Sequence, residues 1–466
     1  MRGNITILYT FILAIIIGVP LVLIESAREN TMLLKSYICM DSGTESTLAE
    51  YHQKLYEDYQ ILAIDTSYLS GEADRAKLEN KVGEFSKYNT GEDIGLLYKL
   101  RFGWIDLKLD SYSIEECLHL SDYNGDVFYK EAVEAQKYNN GMILPEKVFK
   151  FQRDMEVIEK NSEEFEAIKK KNSDNIRDMQ ESLSPEEFEE IKVWDKYNAN
   201  SFVLDLSMGK KYQELYKDGL NTKELITGRS EHIIGDKHIE KMNFNLVDRC
   251  FFINYISDRF DSYDYNKDMK DVIFEQEYII AGKENNIDNL SRVCSEIFAI
   301  RQAGNYISIC KDKIASGKAQ LIAFTISMLL FSPKLEEPIK NIIIMAWAVK
   351  ESLEDMVDLL EGQEVPLIKG EDELKLDLQD MKKDTKNKLE YKKGMSYKDY
   401  LVILLWMRSR ESLTKRSMDM VEQSIRKTKN NEDFKLDGCV IAYNANCNFI
   451  DDKSKTYSVS KYVKYR

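Results

Sequence analysis

The residues from Ile5 to Ile24, ITILYTFILAIIIGVPLVLI, carry no charged side chain, and this run constrains the chain more than any other feature. A helix of that length rises about 30 Å, which matches the hydrocarbon core of a bilayer. The run ends abruptly at Glu25-Ser26-Ala27-Arg28. A retained anchor and a cleaved secretory signal both begin this way. The run is longer than an ordinary signal core, and a cut after the small residue Ala27 would put Glu25 where a small neutral side chain is needed. The sequence therefore predicts a single transmembrane anchor over residues 1–30, inserted through Ile5–Ile24. Arg2 and the amino terminus mark the cytoplasmic side, while Arg28 and Lys35 lie beyond the run. The expected topology has the N-terminus inside and the bulk of the chain extracytoplasmic.

Beyond the anchor the chain is large and acidic. It has 466 residues, 43% of them hydrophobic, so two or three folded regions with real cores are expected. Eighty acidic residues against 65 basic ones give a net charge of -15. Such a surface excludes a nucleic-acid partner, which needs a basic face to displace counterions from phosphates. It also argues against the extracytoplasmic part adhering to an anionic membrane surface. With only six prolines and abundant Lys, Glu, Leu and Ile, the expected class is α+β, predominantly helical, with short antiparallel strands.

Patterning divides the chain further. Residues 31–145 read as an α+β region. Thr47-Leu48-Ala49-Glu50 resembles a capping box opening a helix, Ile61–Asp65 a short strand, and residues 73–87 a helix. Trp104–Leu109 alternates like a half-buried strand, and Asp122–Asp126 is a turn before a helix over 127–138. Residues 146–243 read as a charged helical insertion, a hairpin or short coiled coil, with a solvated helical face as the alternative. Residues 244–450 form a C-terminal helix-rich α+β domain. It has a helix at 245–260, a strand at 274–280, helices near 286–315, 317–332 and 335–361, a long helix at 397–427 and a strand-like segment at 434–450. Leu321–Phe331 and Ile342–Val349 are too short to cross a bilayer and read as buried core helices. Residues 451–466 read as a loosely held polar tail.

No chemistry is explicit. The sequence has no GxGxxG, GxSxG, HExxH or P-loop, and Gly317-Lys318-Ala319 lacks the residues around it that a P-loop requires. The four histidines are His52, His119, His232 and His238. The last two, with Glu231 and Glu240 beside them, match no recognised zinc spacing, so exposed histidines are expected. Asp264, Asn266, Asp268 and Glu275 place oxygens where a calcium loop does, but Met269 stands where the turn needs Gly; an acidic surface loop is the favoured reading. Seven cysteines without a CxxC pair read as buried thiols, and Cys439 with Cys447 is the one pair that a turn in the chain would let bond. No catalytic, cofactor-binding or metal-ligating residue is assigned, and no cofactor or small-molecule substrate is expected. The rival expectation is a membrane-tethered extracellular hydrolase using carboxylates such as Asp65 or Asp106.

Several segments together resemble a known family. The anchor with its Glu25–Arg28 exit, Ile61–Tyr68 (ILAIDTSY), Asn124–Phe128, Glu277–Lys283 (EYIIAGK), Ile342–Glu361 with Val365–Lys369, Tyr397–Tyr400 and Phe434–Ala442 are similar to a domain family of unknown function. That family occurs in Gram-positive bacteria beside tight-adherence (Tad or Flp) pilus components. The resemblance implies a single-pass envelope protein, a component or assembly factor of a Tad-type pilus similar to TadE-like pseudopilins, whose partners are envelope or pilus proteins and whose role is not enzymatic. One departure concerns processing: prepilin cleavage needs a Gly followed five residues later by Glu, and here Gly3 is followed at that distance by Leu8.

Overall fold

The computed structural model describes residues 2–91, 106–140, 145–185, 221–230, 232–238, 242–265, 274–370, 373–375, 391 and 394–465. In chain order the elements are α1 (Arg2–Leu48), α2 (Gln53–Tyr59), β1 (Ile64–Asp65), α3 (Arg75–Thr90), β2 (Leu107–His119), α4 (Asp126–Asn140), α5 (Pro145–Ser182), α6 (Leu246–Arg259), α7 (Glu275–Ala281), α8 (Asn286–Lys311), α9 (Lys313–Leu329), α10 (Glu336–Leu360), α11 (Tyr397–Met407), α12 (Arg410–Arg426), β3 (Cys439–Asp451) and β4 (Thr456–Lys464). The α+β, mostly helical class is the one that forms. Two compact units result: one from residues 1–135, 225–243 and 418–466, the other from residues 136–224 and 244–417.

The first unit is built on β3. This strand pairs antiparallel with β2 along one edge and with β4 along the other, where the two-residue β1 also joins through Asp65 opposite Cys439. Residues 451–465 are therefore no loose tail. Tyr457, Val459 and Val463 are buried, because alternate residues of β4 turn inward while the polar ones between face out. The C-terminal half of α1 lies on this sheet. Arg28, Met32, Ser36, Cys39, Met40, Thr44 and Thr47 are buried at helical spacing, and Met32, Cys39 and Met40 join Phe449, Tyr457 and Val459 in one cluster. Thr47 does not open a new helix: its hydroxyl donates to the Gly43 carbonyl at 2.9 Å while α1 runs on to Leu48. The cap of α2 is His52, whose Nδ1 accepts from the Leu55 N–H at 3.2 Å. Near the C-terminus of α12, Arg229 binds both Glu422 oxygens at 2.6 and 3.0 Å and tethers the segment around it.

The second unit packs α8, α9 and α10 against one another, with α5 across them. Ile158, Phe165, Asn172 and Met179 recur every seven residues on α5 and are buried, Phe165 and Met179 in the cluster built from Ile309, Ile342 and Trp347. The charged segment is thus an amphipathic helix laid on a core. Residues 186–220 of the expected insertion lie outside the described residues. The expected strand at 274–280 is the helix α7: Glu275, Gln276 and Glu277 are buried and bound to the preceding chain, and Gly282, at φ +66, closes the helix by donating to Tyr278 O at 2.7 Å. The expected helix at 397–427 is two helices. Arg408 adopts an extended conformation between them, and its guanidinium binds Ile280 O and Glu296 at 2.9 and 2.5 Å.

The two apolar stretches of this unit part company. Ile342–Val349 is buried as expected. Within 321–331, Ala323, Ile326 and Ser327 are buried, while Leu321, Phe324, Met328, Leu329 and Phe331 are exposed. The small face of α9, Ala315, Ala319 and Ala323, permits close packing on its neighbours, and the large apolar side chains point away.

Candidate functional site

Three places hold side chains arranged for more than packing. The first is the exit of α1 from the sheet. No residue of 7–24 is buried, and the large apolar side chains there are between 42% and 69% exposed. By length and composition this helix is long and apolar enough to cross a membrane. At residue 25 the surroundings change within one turn. Arg28, 7% exposed, donates to Asp451 at 3.2 Å and pairs with Asp452; Glu25 meets Lys453 at 2.6 Å and Glu29 meets Lys455 at 2.5 Å. Asp451 also accepts the N–H groups of Lys453 and Lys455 and the Tyr457 hydroxyl. These bonds and Arg28 outweigh its burial and hold its carboxyl below the usual range. The ESAR tetrapeptide that ends the apolar run is therefore a collar, bound on one side by the β3–β4 turn. Helix α1 passes through it without a break, 47 residues and about 70 Å long.

The second place is an ionic cluster inside the second unit. Arg301 and Asn305 on α8 face Glu351, Ser352 and Asp355 on α10, all of them fully buried. The Arg301 guanidinium donates to Asp355 Oδ2 at 2.8 and 3.0 Å, to Asn305 Oδ1 at 2.9 Å, and to the carbonyls of Pro366 and Leu367 at 2.6 and 2.7 Å. Lys369 bridges Glu351 and Asp355 at 2.5 and 2.7 Å, and Lys375 reaches Asp358 at 2.5 Å. Burial would raise the Asp355 carboxyl, but Lys369, Arg301 and Lys375 hold it well below its ordinary value. Three cations meet three carboxylates, and residues 365–370 and 373–375 are clasped to the bundle. Gly304 makes this possible: a Cβ there would stand 2.3 Å from Leu367 O. Each group is engaged by protein, which suits a clasp better than a reaction centre.

The third is a cavity of about 340 Å³ in the first unit, lined by Asp65, Ser67, Leu69, Gly71 and residues 430–434. Asp65, Glu432 and Asp433 bring three carboxyl groups to it. Both oxygens of Asp65 already accept from Ser67, from its N–H at 2.9 Å and its hydroxyl at 2.7 Å. Asp106 belongs elsewhere. It precedes Leu107, which pairs with Asp451, whereas Asp65 pairs with Cys439. The twelve-residue separation along β3 amounts to about 40 Å.

The other singled-out residues are scattered. Glu275 Oε2 accepts the Asp261 N–H at 2.8 Å, and Asn266, Asp268 and Met269 lie outside the described residues. His119 is buried, not exposed, and burial lowers its pKa. His232 Nδ1 lies 3.6 Å from Asp437. All seven cysteines are free thiols, Cys439 and Cys447 included. Among the described residues no three His, Cys, Asp or Glu side chains group as a metal site. The ionic cluster was not read from the sequence, although a signal was there: Glu351, Ser352 and Asp355 continue at helical spacing the apolar stripe of Ile344 and Ala348.

A family described as being of unknown function, DUF5702, matches residues 180–450, which include the ionic cluster and α9. No curated protein and no solved structure matches the chain.

Proposed function

The chain belongs to the DUF5702 family, whose function is unknown, and from that premise we propose that this member is a single-pass membrane-anchored envelope protein that works by contact rather than by catalysis. Residues 5–24 span the bilayer, the N-terminus is cytoplasmic and both folded units are extracytoplasmic. One observation carries the reading: the exposed apolar half of α1 and its buried half are one continuous helix, divided at the Glu25–Arg28 collar. Cleavage after Ala27 would separate Glu25 from its neighbours Arg28 and Lys453 and cut a helix that the fold otherwise uses whole. On the sequence resemblance, the partners are pilus or other envelope proteins, and the role is that of a component or assembly factor of a Tad-type pilus. Protease added to intact cells tests the topology. The reading expects loss of both units with a short membrane-bound stub retained; full protection of the units, or a fully soluble intact chain after fractionation, contradicts it.

The carboxylate-lined cavity favours a second reading, a tethered hydrolase acting through Asp65, Glu432 and Asp433. It requires that Asp433→Asn abolish a hydrolytic activity of the purified chain while leaving its melting temperature in place.

A further inference from the structure

Helix α9 is amphipathic in the inverted sense. Its alanines are inside, and Ile314, Leu321, Phe324, Met328, Leu329 and the following Phe331 are 68%, 67%, 48%, 51%, 64% and 94% exposed. With aromatic side chains offering about 150–250 Å² each, this face presents on the order of 700 Å² of apolar surface. The largest patch on a typical monomer is about 300–600 Å². Phe331 is displayed at a cost, since its backbone sits at φ +51, a left-handed conformation unfavourable for an aromatic residue. Charge is segregated in the same place. Between Asp312 and Glu336 the chain has Lys313, Lys318 and Lys334 and no carboxylate, in a protein with 80 acidic residues. The acidic balance of the whole chain therefore does not describe this stretch.

We propose that α9 and Phe331 form a second membrane contact, lying in the headgroup region of the bilayer into which α1 inserts. This rests on the anchor reading, because a tethered body meets its own bilayer at an effective concentration no free protein matches. The chemistry fits an interfacial helix: large apolar and aromatic side chains enter the acyl boundary, and lysines at both ends meet anionic headgroups. At 17 residues, and with its alanine face occupied by the protein core, α9 lies on the membrane and does not cross it.

The test uses the full chain in vesicles of phosphatidylethanolamine and phosphatidylglycerol that contain a fluorescent phospholipid. A photoreactive benzoylphenylalanine replaces Phe11, Leu321, Phe331 or, as a solvent-exposed control, Lys398. Lipid adducts at Phe11, Leu321 and Phe331, each several-fold above Lys398, are the expected result. Phe324→Glu with Met328→Glu should lower the Leu321 adduct several-fold without shifting the melting temperature, since both side chains project outward. Adducts at Phe11 alone overturn this inference and leave the anchor intact. Adducts from Phe331 to a second copy of the chain overturn it in favour of self-association. Adducts at Leu321 and Phe331 without one at Phe11 refute the anchor, and with it this contact as a second one to the same bilayer.

Discussion

Glu277 is a carboxyl group that the fold keeps at the edge of ionisation. It is fully buried on α7, and its Oε1 accepts the Tyr263 N–H and the Tyr397 hydroxyl, each at 3.0 Å. No cation is paired with it among the described residues. Burial pushes its pKa from 4.5 up to about 7, against the pull of those hydrogen bonds. The sign of the linkage is opposite to that of a salt-bridged carboxylate. The folded state holds the proton more tightly than the unfolded chain, so this contribution is fully present below pH 4.5 and is lost as pH rises through 7. A shift of about 2.5 pH units corresponds to about 3 kcal/mol. Glu277→Gln resembles the protonated form and keeps the acceptor oxygen, so it should remove the dependence. Urea unfolding of the wild type and the variant in nanodiscs, followed by fluorescence of Trp347 and Trp406 in the second unit, measures the difference at each pH. The variant should be within about 1 kcal/mol of wild type at pH 5 and more stable by about 3 kcal/mol at pH 8.5. A difference that stays flat from pH 5 to 8.5 would refute the argument, because other titrating groups cancel in the comparison.

Further substitutions examine the second unit. Asp355→Asn strands Arg301, Lys369 and Lys375 beside one fewer buried carboxylate, and should cost about 3–5 kcal/mol, whereas Arg301→Met, Glu351→Gln, Asp355→Leu and Lys369→Met together should recover much of it. Thermal unfolding checks this, with the single variant lower by roughly 10 °C. Ala319→Leu places an added isobutyl group against the packed face of α9 and should destabilise by about 1–3 kcal/mol, while Leu321→Ser, two residues on and exposed, should leave the melting temperature unchanged.

Those positions also show what the sequence could and could not reveal. Periodicity located α3, α4, α6, α8 and α10 to within a few residues, because each has an apolar stripe on one side. It failed at α7, where YII beside Phe274 reads as a strand until one sees that Glu275, Gln276 and Glu277 are buried acceptors and donors for the preceding loop. It failed differently at α9, whose apolar face is real but points outward; hydropathy alone carries no direction. The tail was misjudged although β4 alternates polar and apolar residues, because its partner strand could not be inferred from composition. The long apolar helix was legible in full, but the collar was not, since Arg28 and Asp451 are 423 residues apart. Clasping groups such as Lys369 are scattered in sequence and converge only when α8 and α10 pack.

The central claim is that α1 is retained whole and joins the membrane to the folded body. The mass of the N-terminal peptide of the mature protein recovered from whole cells and their medium tests it most directly. The account predicts a peptide that still contains residues 7–24 and continues unbroken through Glu25-Ser26-Ala27-Arg28. A mature chain that begins at Arg28 would contradict it, and would reduce the collar to the remnant of a signal-cleavage site.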